Sequence, residues 1–74
     1  MDLEFPRYEH DPALGVTEIE FVARFTGAIP SRQEILAELA LVSGADPASI
    51  DLGRLRPRAR RGEVRGSARI TERR

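Results

Sequence analysis

Ile19, Phe21, Ala23 and Phe25 alternate along the chain with Glu18, Glu20, Val22, Arg24 and Thr26. Residues two apart share one face of an extended chain, so this run predicts a half-buried strand. Leu3 and Phe5 alternate with Asp2 and Glu4 in a shorter first strand. Pro6 has no N–H to offer a ladder, which puts that strand at a sheet edge or ends it. Glu9 to Gly15, with Asp11-Pro12 inside it, reads as the turn between the two. After Gly27 the period changes: Ile35, Leu36, Leu39 and Val42 recur at helical spacing, with Arg32, Gln33 and Glu38 off the stripe. Ser31 and Glu34 have the spacing of a capping box, and Gly44 suits a left-handed carboxyl cap, so the helix should run from about Arg32 to Ser43.

Asp46-Pro47 opens a tight turn, and Ile50, Leu52 and the marginal Leu55 form a third strand. The run from Arg56 to Glu63 has no apolar stripe and reads as a solvated loop. Val64, Gly66, Ala68 and Ile70 alternate with Arg65, Ser67, Arg69 and Thr71 in a fourth strand. One helix with one apolar stripe covers one face of such a sheet. The expected fold is therefore an α+β two-layer sandwich of topology β-β-α-β-β, with a four-stranded antiparallel sheet in order 1-2-4-3. The helix joins the second and third strands, which should run parallel with the fourth inserted between them. Ile35, Leu36 and Leu39 should pack on Phe21, Phe25, Leu52 and Ile70.

With 74 residues the chain reads as one domain, 1–74, and a domain of this size buries only about 60% of its unfolded surface. Small domains usually lean on disulfides, a metal or a partner. There is no cysteine and a single histidine, His10, so disulfides and a structural zinc site drop out and no cofactor is expected. A partner remains. The apolar run Ile35 to Val42 is interrupted by Glu38 and falls far short of the roughly 20 residues of a membrane span. Met1-Asp2-Leu3-Glu4 is acidic where a signal peptide is basic, and the chain reads as soluble and cytoplasmic.

The net charge of zero conceals an asymmetry. Residues 1–51 hold ten acids against Arg7, Arg24 and Arg32, a net of −7, whereas residues 52–74 hold nine arginines against Glu63 and Glu72, a net of +7. One end is thus suited to a polyanion. All twelve bases are arginine, which favours bidentate phosphate contacts, although genomic base composition produces the same bias.

Three stretches resemble the small-subunit ribosomal protein family numbered twenty-four in the eukaryotic and archaeal nomenclature. Asp11-Pro12-Ala13-Leu14 is similar to that family's Asn-Pro-Leu-Leu turn. Gly27-Ala28-Ile29-Pro30-Ser31-Arg32, followed by Glu34-Ile35, resembles its Gly-Ala-Thr-Pro-Ser-Arg helix opening. Gly66-Ser67-Ala68-Arg69-Ile70 resembles its Gly-Tyr-Ala-Lys-Ile in the last strand. The order and spacing of the three run nearly the whole chain. Departures are Ala59-Arg60 in place of an aromatic-glycine pair, Thr71-Glu72 in place of Tyr-Asp, and a family pattern that continues past the position of Arg74. The resemblance implies the same 1-2-4-3 sheet and a structural place in the small ribosomal subunit bound to ribosomal RNA, with neighbouring ribosomal proteins as further partners. No enzymatic activity is expected of a two-layer domain of this size, which hardly offers a cleft.

The candidate RNA-binding residues are Arg54, Arg56, Arg58, Arg60, Arg61, Arg65 and Arg69 of the basic end, five of them within eight residues. Arg32 joins them as a phosphate contact at a helix start, where a cation is otherwise unfavourable. An ordinary solvated basic loop is the competing reading. Phe21 and Phe25 lie on the buried stripe, so base stacking on aromatics gives way to phosphate and shape recognition. His10 beside Asp11 has no nucleophile near it in sequence, and Glu18, Glu20, Glu34 and Glu38 read as solvated faces rather than paired catalytic carboxylates. Two alternatives stay open: a protein-interaction module whose acidic half docks a basic partner, and an RNA-binding paralogue that acts outside the ribosome.

Overall fold

The structure, a computed structural model, describes residues 1–72; Arg73 and Arg74, counted in the basic end, lie outside the described residues. The elements in chain order are β1 (Asp2–Asp11), β2 (Val16–Arg24), α1 (Arg32–Ser43), β3 (Ile50–Leu52), β4 (Arg56–Arg58) and β5 (Glu63–Thr71), with short 3-10 turns at Pro47–Ser49 and Ala59–Arg61. The fold is α+β, one open antiparallel sheet with one helix.

The sheet has five strands in order β1-β2-β5-β3, with β4 also paired to β5. This corrects the four-strand expectation in detail. The arginine run is not wholly a loop: Arg56–Arg58 forms a strand against Glu63–Arg65, with Pro57 opposite Val64. β3 pairs with residues 68–70 of the same β5 edge, so β3 and β4 lie end to end with residues 53–55 bridging the gap. The loop shrinks to the Ala59–Arg61 turn and Gly62, whose φ of 63° is left-handed. Glu63, expected in solvent, is 6% exposed.

β1 is also longer than its short apolar pattern. It continues through Pro6 to Asp11 because a bulge between Glu4 and Arg7 absorbs the proline while both flanks stay paired to β2. His10 therefore sits in a strand opposite Thr17, its Nδ1 2.9 Å from the Thr17 hydroxyl, rather than in a turn.

The core lies between α1 and one face of the sheet. Ile35, Leu39 and Ala40 of the helix share it with Ile19, Phe21 and Ala23 of β2, Val64, Ala68 and Ile70 of β5, and Ile50. Leu36, Phe25, Leu52 and Leu55 pack at its margin. Val42, expected on the stripe, is 54% exposed, so the apolar period runs one turn past the cover available to it. Gly66 is required by packing: a Cβ there would stand 2.8 Å from the Phe21 ring and 2.9 Å from Leu55 Cδ2. The helix is bounded as its ends dictate. Ser31 Oγ accepts from the Glu34 N–H at 3.1 Å, and its hydroxyl also lies 3.3 Å from the Glu34 carboxylate. Gly44, at φ 74°, returns its N–H to the Ala40 carbonyl. Among the described residues no helix is long and apolar enough to cross a membrane.

Candidate nucleic-acid interface

The sheet face opposite α1 carries charge in registered rows. Across the strands run Asp2–Arg24–Glu63–Arg58, then Glu4–Val22–Arg65–Arg56, and at the far end Glu9–Glu18–Arg69–Asp51. Side chains directly opposite one another on adjacent strands interact, so the register decides which charges cancel. Arg24 reaches Glu4 at 2.9 Å and Glu63 at 3.2 Å, Arg69 reaches Glu18 at 2.7 Å, and Arg7 reaches Glu9 at 2.9 Å. The Arg24 hydrogen bond holds the Glu4 carboxyl below its ordinary range, and that of Arg7 does the same to Glu9.

The arginines of the basic end fall into two groups. Arg69 is tied to Glu18 and stands opposite Asp51, and Arg65 lies 3.4 Å from Glu63. Arg54, Arg56, Arg58, Arg60 and Arg61 are exposed, and among the described residues none of them has a side-chain ion pair or hydrogen bond within the chain. β4 and the following turn hold four of the five, and the residue 53–55 bridge holds Arg54. Arg56 is directly opposite Arg65 in the β4–β5 ladder. Like charges so placed are destabilising unless an anion stands between them.

Three of these side chains, Arg54, Arg56 and Arg58, border an open hollow of about 520 Å³ on the helix-free face. Arg54, Arg56, Arg58 and Arg65 line it on the β4 side, Pro6 on the β1 side, and Val22, Glu20 and Ser67 between. The β1 bulge at Pro6 flanks the hollow on one side, and the β3–β4 gap flanks it on the other. Sequence spacing alone does not expose this grouping, because Pro6, Val22 and Arg65 become neighbours only through the register.

Arg32 stands in the first turn of α1, and its guanidinium is engaged within the fold. It donates to the Leu52 carbonyl at 2.6 Å and the Gly53 carbonyl at 3.0 Å. It thus fastens the start of the segment that carries Arg54. His10 Nε2 is 3.5 Å from Glu72, which joins β1 to the end of β5. Among the described residues no group of histidine, cysteine, aspartate and glutamate side chains could hold a metal ion. Comparison with protein-family models and with curated proteins returned no match.

Proposed function

We propose that this chain is a non-enzymatic RNA-binding protein that grips phosphates through Arg54, Arg56, Arg58, Arg60, Arg61 and Arg65. One observation carries the reading: five arginines without a side-chain partner among the described residues are gathered on one short strand and its flanks, while Arg7, Arg24 and Arg69 elsewhere on the same face are neutralised by carboxylates. Five guanidiniums held close together repel one another, and a polyanion removes that repulsion while releasing its own counterions. The three-stretch resemblance makes ribosomal RNA of the small subunit the proposed target, with the cytoplasmic ribosome as the place of action and neighbouring ribosomal proteins as further partners. Arg32 and Arg69 take secondary parts, since their donors are already engaged within the fold.

The alternative of an acidic docking face is less well supported. Glu4, Glu9 and Glu18 are in ion pairs with Arg24, Arg7 and Arg69, which leaves less free negative charge than the sequence count implies. The test is the combined replacement of Arg56, Arg58, Arg60 and Arg61 by alanine. RNA binding should weaken for every sequence tried, and the log–log salt slope should flatten by about 0.7–0.9 for each phosphate that is no longer neutralised. Salt-dependent retention on purified small ribosomal subunits then separates ribosomal from extraribosomal binding. Undiminished RNA affinity in the quadruple variant would refute the reading.

A further inference from the structure

We infer that the hollow between the β1 bulge and the β3–β4 gap seats one unpaired guanosine of the bound RNA, with its phosphate between Arg56 and Arg65 and its base against the ring of Pro6. The inference rests on the RNA-binding reading above and narrows it from phosphate recognition in general to a single splayed nucleotide.

Shape is the first consideration. A continuous RNA duplex presents its phosphates on a convex surface and can meet the exposed Arg60 and Arg61, whereas an open hollow of this size suits a single splayed nucleotide. The hollow has a volume of about 520 Å³, within the roughly 300–1,000 Å³ of small-ligand sites. RNA fills such recesses with unstacked bases from bulges and loops.

Charge fixes where the phosphate goes. Arg56 and Arg65 stand opposite each other as a like-charged cross-strand pair, with Arg54 and Arg58 lining the same hollow. A phosphate oxygen pair between two guanidiniums accepts from both and cancels their repulsion. The base then meets the exposed ring of Pro6, with only a small edge of Val22 beside it. Planar guanidiniums can take the stacking role that aromatic side chains have in other RNA readers.

The polar wall favours guanine, the one base whose Watson–Crick edge presents two adjacent donors. Glu20 and Ser67 are paired across β2 and β5 and both line the hollow. Among the described residues neither side chain has a hydrogen-bond partner, because Arg7, the cross-strand neighbour of Glu20, gives its hydrogen bond to Glu9. A carboxylate only accepts. Guanine offers it two adjacent donors, N1–H and the 2-amino group, whereas the Watson–Crick edge of uracil offers one donor between two carbonyl oxygens that repel it.

The experiment compares three RNA hairpins of one stem sequence at fixed salt: fully paired, with one bulged guanosine, and with one bulged uridine. The bulged-guanosine hairpin should bind roughly tenfold or more tighter than either other, the scale of one well-held base. Glu20→Gln separates the causes, because removing a negative charge should by itself strengthen binding to any RNA. The hollow requires the opposite for the bulged guanosine, a selective loss of affinity, with the paired hairpin unchanged or tighter. If the three hairpins bind alike while the quadruple arginine variant weakens all of them, the nucleotide seat is refuted and the phosphate reading stands. If the arginine variant weakens none, both fall together.

Discussion

Arg24 and Glu63 face each other across the β2–β5 ladder, with Nη1 of the arginine 3.2 Å from Oε1 of a carboxylate that is almost wholly buried. The second Glu63 oxygen is 3.4 Å from Arg65, and Arg58 stands opposite on β4. One carboxylate therefore bridges two guanidiniums, those of Arg24 and Arg65, at the margin of the arginine surface. Glu63→Gln keeps the shape and removes the charge. It should lower stability by about 1 kcal/mol, the scale of a charge-assisted hydrogen bond reduced by the half-exposure of Arg24. The same change leaves Arg65 less neutralised, so RNA affinity should rise as stability falls. Thermal unfolding and RNA titration of one variant check both signs.

Leu39 is 1% exposed and sits in the core with Ile35, Phe21 and Ile70. Leu39→Ala should cost about 2–5 kcal/mol, a large part of the stability of a small domain. A denaturant titration measures it, and an unchanged midpoint would contradict the packing described.

Arg32 holds two carbonyls at once, Leu52 and Gly53, with its planar guanidinium. Arg32→Ala should cost about 1 kcal/mol, since the site is exposed and water replaces part of the loss. The local effect should be clearer: amide exchange at Gly53, which bonds to the Ser67 carbonyl, should speed up while the α1 amides stay protected. Arg32→Lys should not restore it, because a lysine is a point charge and cannot span two acceptors in a fixed plane.

Acid should weaken the fold through β1. The carboxyls of Glu4 and Glu9 are held below their ordinary range by the hydrogen bonds of Arg24 and Arg7. A depressed folded-state value means stabilisation that is full above the ordinary glutamate range and lost as pH falls through and below it. Stability measured down an acid series should therefore decline in that window. Added salt should shrink the decline, because both pairs are exposed and screened. Glu4→Gln with Glu9→Gln should flatten the acid limb.

Much of this architecture is legible in the sequence because local signals agree. The period-two run of β2, the helix from Arg32 to Ser43 and the left-handed glycine at 44 each follow from a few adjacent residues. β4 is not legible that way. Arg56-Pro57-Arg58 carries no apolar alternation, and only its edge pairing with β5 makes it a strand. The length of β1 is hidden for a related reason: a proline ends most strands, and the bulge that accommodates it depends on the partner strand. The arginine cluster can be read from spacing, but its division into neutralised and free members cannot, since Arg69 meets Glu18 across 51 positions of sequence. Arg32 shows the same limit, with acceptors 20 and 21 residues away.

β5 follows the other four strands in sequence and is the centre of the sheet, paired with β2 on one edge and with β3 and β4 on the other. During synthesis the β1–β2 hairpin and α1 can form as they emerge, because their hydrogen bonds are local. β3 and β4 have nothing to pair with until residues 63–71 arrive, and the edge of β2 that receives β5 stays open until then. Closure of the sheet therefore waits for β5 and carries the loop-entropy cost of joining segments distant in sequence. A nascent chain halted short of Ile70 would display both an unpaired β2 edge and the free arginines of β4, and a growing polypeptide in that condition depends on whatever is close enough to shield it.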